Sequence, residues 1–200
     1  MKEAILQIIS AEAEAIRNLP PDDGFENAVE LIHEHVHIKN AKLITSGMGK
    51  AGHIALNIST SLSATGTPAV FIHPSDAQHG DLGVIKSNDV LLLVSNSGRT
   101  SEIVQLIDLV RNLHNGMPTI VITGNPESPL AQQANVVISS GNPSEVCPLG
   151  LTPTTSTTVF TVIGDILTVL MMKKIGFTRE EYSKRHHGGY LGQKSRNEVE

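Results

Sequence analysis

Val90-Leu91-Leu92-Leu93-Val94-Ser95-Asn96-Ser97-Gly98-Arg99-Thr100-Ser101-Glu102-Ile103 decides how this chain is built. An apolar run of strand length ends abruptly in hydroxyls and a glycine, and a helical pattern follows at once. That order places a helix start, whose first amides lack intrahelical partners and sit at the positive end of the dipole, beside several short donors. Gly98 lets the backbone come close, and Ser95, Ser97 and Thr100 can each donate a hydroxyl hydrogen bond, so the volume suits a phosphate. Simple helix capping is the competing reading, because Ser and Thr are also the usual cap residues. One cap needs one hydroxyl, whereas residues 95–101 carry four. The phosphate reading is therefore preferred.

Outward from this junction, short apolar strands alternate with helical patterns. Residues 2–18 read as a helix stopped by Pro20-Pro21, and 22–37 as a second, with Phe25, Ala28, Val29, Ile32 and Val36 at helical spacing. Strands are predicted at 42–46, 69–72, 90–94, 119–123 and 136–139. Between them come helices at 50–64 and 100–113, a long polar loop at 73–86 and a short helix at 129–134. A long helix over 154–174, a short one over 178–184 and a Gly-rich tail complete the chain. Repeated βα units imply an α/β fold, a doubly wound five-stranded parallel sheet flanked by helices on both faces and flavodoxin-like in layout. Ligands then sit beyond the carboxyl ends of the strands, where the loops after Ser46, Ile72, Val94 and Ser139 are expected to converge. The expected organisation is one domain over 1–200: N-terminal helices to 40, a core at 41–192 and a tail at 193–200.

Composition narrows the function. Two hundred residues, 40% hydrophobic and 18% charged, can bury a real core. A net charge of −5 and 3% aromatic residues leave neither a basic footprint nor stacking surfaces for nucleic acid. Any anion must be held by a local cradle. Cys147 alone excludes an internal disulfide and fits a reducing compartment. It reads as a small buried thiol between apolar neighbours. Met1-Lys2-Glu3-Ala4-Ile5-Leu6 lacks a signal-peptide layout, and the apolar stretch 159–172 is shorter than a membrane span and carries Asp165. A core helix, no membrane partner and a cytoplasmic location are expected.

Several motifs carry competing readings. Gly47-Met48-Gly49-Lys50-Ala51-Gly52 matches G-x-G-x-x-G after a strand, yet the next strand ends Phe71-Ile72-His73-Pro74 without the carboxylate that would hold a ribose. NAD is disfavoured, and no cofactor is expected. Lys50 can offer a point charge to a phosphate or an oxyanion, or can simply lie on a solvated face. His33-Glu34-His35-Val36-His37 matches the zinc-peptidase H-E-x-x-H, but lacks the further ligand motif. A histidine-rich last turn, favourable against the helix dipole, is preferred and no metal is expected. His79, in the long polar loop, can carry protons near neutral pH or be merely solvated. Thr154-Thr155-Ser156-Thr157-Thr158 offers donors or caps at the start of the long helix, with Glu145 just before it. Arg185-His186-His187-Gly188-Gly189 reads as a disordered tail or as a mobile arm carrying a base.

With these segments placed, the chain closely resembles the sugar isomerase (SIS) domain of arabinose 5-phosphate isomerases. The matching runs are Gly47-Met48-Gly49-Lys50-Ala51-Gly52-His53-Ile54, Gly66-Thr67-Pro68, His73-Pro74, His79-Gly80-Asp81-Leu82-Gly83, Ser95-Asn96-Ser97-Gly98, Glu145-Val146-Cys147-Pro148-Leu149, Pro153 to Thr158, and His186 before Gly188-Gly189. The resemblance implies interconversion of D-arabinose 5-phosphate and D-ribulose 5-phosphate through an enediol. It also implies supply of 3-deoxy-D-manno-octulosonate (Kdo) synthesis for lipopolysaccharide or capsule. By it, Lys50, His79, Glu102, Glu145 and His186 fall on active-site positions. Ser46, Gly47, Ser95, Ser97, Thr100, Thr154 and Thr155 are read as the substrate-binding set. A homo-oligomer, a tetramer with shared active sites, is likewise implied.

The chain departs from the family pattern in three places. His187 stands where a proline is usual and Arg99 where Glu is common. Many members continue into paired CBS regulatory domains beyond the point corresponding to Glu200, which a short form or a fragment would each explain.

Aldose–ketose isomerisation needs a base for the C2 proton, return of that proton at C1, and proton shuttling for ring opening. Glu102 lies in a first helical turn, where the dipole favours its ionised, weakly basic form. Glu145 carries no such restraint on the sequence reading and is preferred as the base. His79 and His186 are proton-transfer candidates, and Lys50 would stabilise enediolate or phosphate. Another sugar-phosphate isomerase, or a non-catalytic phosphosugar-sensing domain using the same loop, are the alternatives.

Overall fold

A computed structural model describes residues 1–197, and residues 198–200 of the expected tail lie outside the described residues. Five strands, β1 Leu43–Gly47, β2 Ala69–Phe71, β3 Val90–Val94, β4 Thr119–Thr123 and β5 Val136–Ser139, form one sheet in the order β2-β1-β3-β4-β5. Every neighbouring pair is parallel. The α/β, doubly wound, flavodoxin-like fold expected from the sequence is present. The winding reverses between β1 and β3, so a crevice opens beyond their carboxyl ends.

Period-two alternation explains the two layers. Val90, Leu92 and Val94 face a core filled by Ile32, Ile58, Phe160 and Leu167. These come from α2 Gly24–Ile32, α3 Gly49–Ala64 and α6 Thr155–Lys174. Leu91 and Leu93 face the opposite core with Ile103, Leu106 and Ile107 of α5 Ser101–Leu113 and Ala77 of α4 Pro74–Ala77. β3 is covered on both faces because both sets of its side chains are apolar. α1 Lys2–Arg17 packs against α6 but has no buried residue.

α6 is long and apolar enough to span a membrane, but half of its apolar window is buried. It fills the core, as expected. Its contact with α3 is tight: a Cβ at Gly164 would stand 2.6 Å from Ile58 Cγ1. Gly164→Ala is therefore expected to destabilise by about 1–3 kcal/mol through overpacking, read as a lower urea midpoint at unchanged m.

Three expectations need correction. The segment after β2 is no unstructured loop: His73 caps α4, its Nδ1 accepting from the Ser75 N–H at 3.3 Å, and a 3-10 turn follows at Asp81–Val84. The Pro74 at the helix start and the His73 cap account for it. The end of the second helix is π-helical over His33–Ile38. Residues 189–197, read as tail, form α8 Gly189–Asn197, which packs against α7 Arg179–Arg185. Leu191 helps line an apolar groove there with Met172 and Phe177, a contact no local pattern announces.

Candidate active site

Where the winding reverses, the N-termini of α3, α5 and α6 meet around a cavity of about 440 Å³. Lys50, Ser95, Ser97 and Thr100 line it, with Ser156 and Thr157 opposite. Neither Met48 before α3 nor Thr100 before α5 caps its helix with a side-chain hydrogen bond. Two helix ends thus present positive amide termini toward one volume. Ser95 is 2% exposed, its Oγ 3.1 Å from Thr100 Oγ1. Ser97 Oγ accepts from the Arg99 N–H at 3.2 Å, which leaves its own O–H to donate outward. The loop holds this shape through Gly98, at φ +61°, where a Cβ would overlap the Ser128 side chain. Lys50 is exposed at the cavity, and its ammonium makes no hydrogen bond or ion pair among the described residues. The geometry is a built anion cradle with a cation at its mouth.

Glu145 is held more firmly than its loop position suggested. Its Oε2 accepts from Thr154 N at 2.7 Å, Thr154 Oγ1 at 3.0 Å and Ser156 N at 3.3 Å, and its Oε1 accepts from Ser156 Oγ. Burial raises its pKa, but the combined hydrogen bonds of Ser156 and Thr154 outweigh that and hold the carboxyl below the ordinary value. The expectation of an unrestrained Glu145 is corrected: it occupies the amides that begin α6 and, like Glu102, lies outside the cavity lining, which it meets through Ser156. The same bonds employ Thr154, and Thr155 Oγ1 accepts from Val146 N at 3.2 Å. Neither threonine lines the cavity. Ser156 and Thr157 do, and with Phe160 one turn on they share one helical face, closed off by Pro153 just before the helix. That spacing, present in the hydroxyl run itself, is the signal that singles out these two residues over their neighbours.

Other expected residues lie elsewhere. Ser46 is fully buried and donates to Ile72 O at 2.7 Å, tying β1 to the end of β2. Gly47 permits close packing of β1 on α3, since a Cβ there would stand 2.8 Å from the Ala51 carbonyl. Both support the cradle without lining it. Glu102 accepts from Ser101 Oγ at 2.8 Å, and its own backbone N–H followed by that hydroxyl holds its carboxyl low. It opens α5 beside the loop, outside the cavity lining. His79 is exposed after α4 and also lies outside that lining.

His186 is at the other end of the molecule. Its ring stacks on Tyr182 at 3.7 Å, and its Nδ1 donates to Tyr182 O at 3.1 Å. Tyr182 lines the groove with Met172, near the C-terminus of α6. The twenty residues of α6 span about 30 Å. This chain's His186 is therefore remote from this chain's cavity.

The H-E-x-x-H motif also faces away. His37 Nε2 meets Thr67 Oγ1 at 3.1 Å and His35 Nδ1 meets Asn88 O at 2.9 Å, both at the amino ends of strands. Burial, then the nearby His33, lowers the His37 pKa. Among the described residues no three His, Cys, Asp or Glu side chains group to hold a metal. Cys147 corrects another expectation. It is half-buried rather than enclosed, and N–H bonds from Thr152 at 3.2 Å and Leu151 at 3.4 Å lower its thiol pKa to about 7.

A doubly wound sheet with a hydroxyl loop and helix termini converging at its switch point is the architecture of an anion-binding α/β domain. Residues 37–170 match the SIS domain profile, and the chain belongs to that family. It is 45% identical over 172 residues to the arabinose 5-phosphate isomerase KdsD of Pseudomonas aeruginosa, covering 86% of this chain and 51% of that protein. The chain thus spans about half the length of the curated relatives it matches. The crystal structure of a candidate phosphosugar isomerase involved in capsule formation from Bacteroides fragilis is 62% identical, with a TM-score of 0.93, covering 95% of this chain and 99% of that one. The E. coli CFT073 protein c3406, solved in complex with arabinose 5-phosphate, is 31% identical with a TM-score of 0.85, covering 92% of this chain and 96% of that one.

Proposed function

We propose that this chain interconverts D-arabinose 5-phosphate and D-ribulose 5-phosphate, supplying Kdo synthesis for lipopolysaccharide or capsule. The observation that carries the reading is the cradle in which Ser95, Ser97 and Thr100 meet two uncapped helix termini with Lys50 alongside. The arabinose 5-phosphate isomerases among its relatives supply the sugar. Incubating the protein with D-arabinose 5-phosphate and following the sugar by NMR tests it; no ketose signal would reject it.

In this scheme the phosphate sits in the hydroxyl loop and anchors an open-chain sugar. Glu145 takes the C2 proton, the enediol forms, and the proton returns to C1. Ser156, which lines the cavity and bonds the Glu145 carboxylate, connects the base to the substrate. Lys50 stabilises the enediolate or phosphate, while His79 and His186 move protons during ring opening and between O1 and O2. Glu102, beside the loop, is the rival base. These roles need only side chains, so neither a metal nor an organic cofactor enters a step. Loss of activity on chelation with recovery on adding zinc would overturn this.

Ser97→Ala should weaken sugar-phosphate binding by about 1.5–3 kcal/mol, roughly one to two powers of ten, and leave the fold intact because Ser97 is exposed. Unchanged affinity by calorimetry would remove Ser97 from the phosphate site.

The working unit is proposed to be a homotetramer with shared sites. Two observations support an assembly: His186 lies far from its own cavity, and α1 leaves Ile5, Leu6, Ile8 and Ile9 about half exposed or more. A cytoplasmic location accords with the unpaired thiol of Cys147.

A further inference from the structure

On the β4–β5 side of the phosphate loop lies a second polar cavity of about 450 Å³. Asn96, Ser97, Arg99, Gly124, Asn125 and Asn142 wall it. No side-chain hydrogen bond or ion pair is made by Arg99, Asn96, Asn125 or Asn142 within the described residues. Asn96 Oδ1 is moreover buried without any partner. Arg99 and Asn142 are exposed and meet solvent, whereas a buried polar atom such as Asn96 Oδ1 is ordinarily satisfied in a native protein. Here three amides and a guanidinium converge with their bonding capacity free. The pocket is open because residue 124 is glycine: a Cβ would run into Asn96 Oδ1 and stand 3.1 Å from Asn142 Oδ1.

The chemistry of the walls selects the guest. No carboxylate lines the cavity, so the exposed Arg99 guanidinium is left available to an anion, which it can grip with two parallel bonds. The amides add donors and acceptors suited to phosphate oxygens and sugar hydroxyls. Asn96 and Ser97 belong to both cavities, so a single molecule can reach from one into the other.

We infer that Arg99, Asn96, Asn125 and Asn142 form a second anion subsite. A sugar or polyol phosphorylated at both ends fills the two cavities together and competes with the singly phosphorylated substrate. The inference rests on the phosphate reading of the Ser95–Thr100 loop and extends it.

Calorimetry with D-arabinitol 5-phosphate and D-arabinitol 1,5-bisphosphate tests it on the whole chain. The bisphosphate should bind about ten- to a hundredfold more tightly, the range of a charge-assisted hydrogen bond. Arg99→Ala and Asn125→Ala should bring that ratio toward one, whereas Lys86→Ala, which removes an exposed cation outside both cavities, should leave it high. Equal affinities in the unaltered protein would overturn the subsite, as would a ratio that survives Arg99→Ala. Failure of the monophosphate to bind would instead count against the phosphate loop itself. The two failures are therefore distinguishable.

Discussion

Glu145→Gln is expected to lower turnover of D-arabinose 5-phosphate by roughly a hundred- to ten-thousandfold, the range a positioned general base contributes. Substrate affinity should change little, because the lost interaction is made in the transition state and the Ser95–Thr100 loop makes no bond to Glu145. The loss should therefore appear in kcat rather than in binding measured by calorimetry. A structural effect accompanies it. Gln presents one acceptor oxygen to a place where Thr154 and Ser156 offer four donor bonds. Leaving one of them unpaired should cost about 1–3 kcal/mol in a urea titration.

The acid limb gives an independent check. Glu145 titrates below its ordinary value of 4.5, so its stabilising contribution is complete above that pH and fades as pH falls through its lower folded value. The stability difference between parent and variant should therefore narrow only in acid. Near-normal turnover by Glu145→Gln would move the base to Glu102 or a histidine. It would leave Glu145 as the anion that starts α6.

Lys50→Ala and His186→Ala, each nearly inactive alone, are expected to complement one another when mixed under subunit exchange. A site whose own chain keeps Lys50, and whose neighbour keeps His186, is intact. Random mixing of equal amounts should restore about a quarter of the sites. Each single variant should fall by roughly two to four powers of ten, so the recovery stands far above background. The expectation follows from the roughly 30 Å that α6, twenty residues long, puts between its ends. The absence of recovery, or full activity in a monomer by sedimentation, would return His186 to a local role at Tyr182.

Some of the site is visible before folding is considered. The hydroxyls of Ser95, Ser97 and Thr100 and the Gly98 turn are local in sequence, and the structure places all three hydroxyl residues on the cavity. Lys50 follows from the short step between β1 and α3. Ser46 departs from its expected role because a hydroxyl at a strand end looks the same in sequence whether it faces ligand or spans to a neighbouring strand, as it does to Ile72 O. Glu145 looks unrestrained in sequence because its partners lie nine and eleven residues away, across a turn whose course depends on Gly150 and the Cys147 loop.

What the sequence by itself determined is the layered parallel sheet and the edge that carries the hydroxyl loop. Strand periodicity, glycine placement and helix starts are governed by interactions within a few residues, and the apolar character of β3 requires cover on both faces. Only the tertiary structure decided which groups share a volume. It separated His186 from the cavity by the length of α6, committed Thr154 and Thr155 to the Glu145–Val146 loop, and gathered Arg99 with three asparagines from the ends of β3, β4 and β5. Those outcomes depend on strand order and helix packing, in which the energy resides in contacts between residues far apart in the chain.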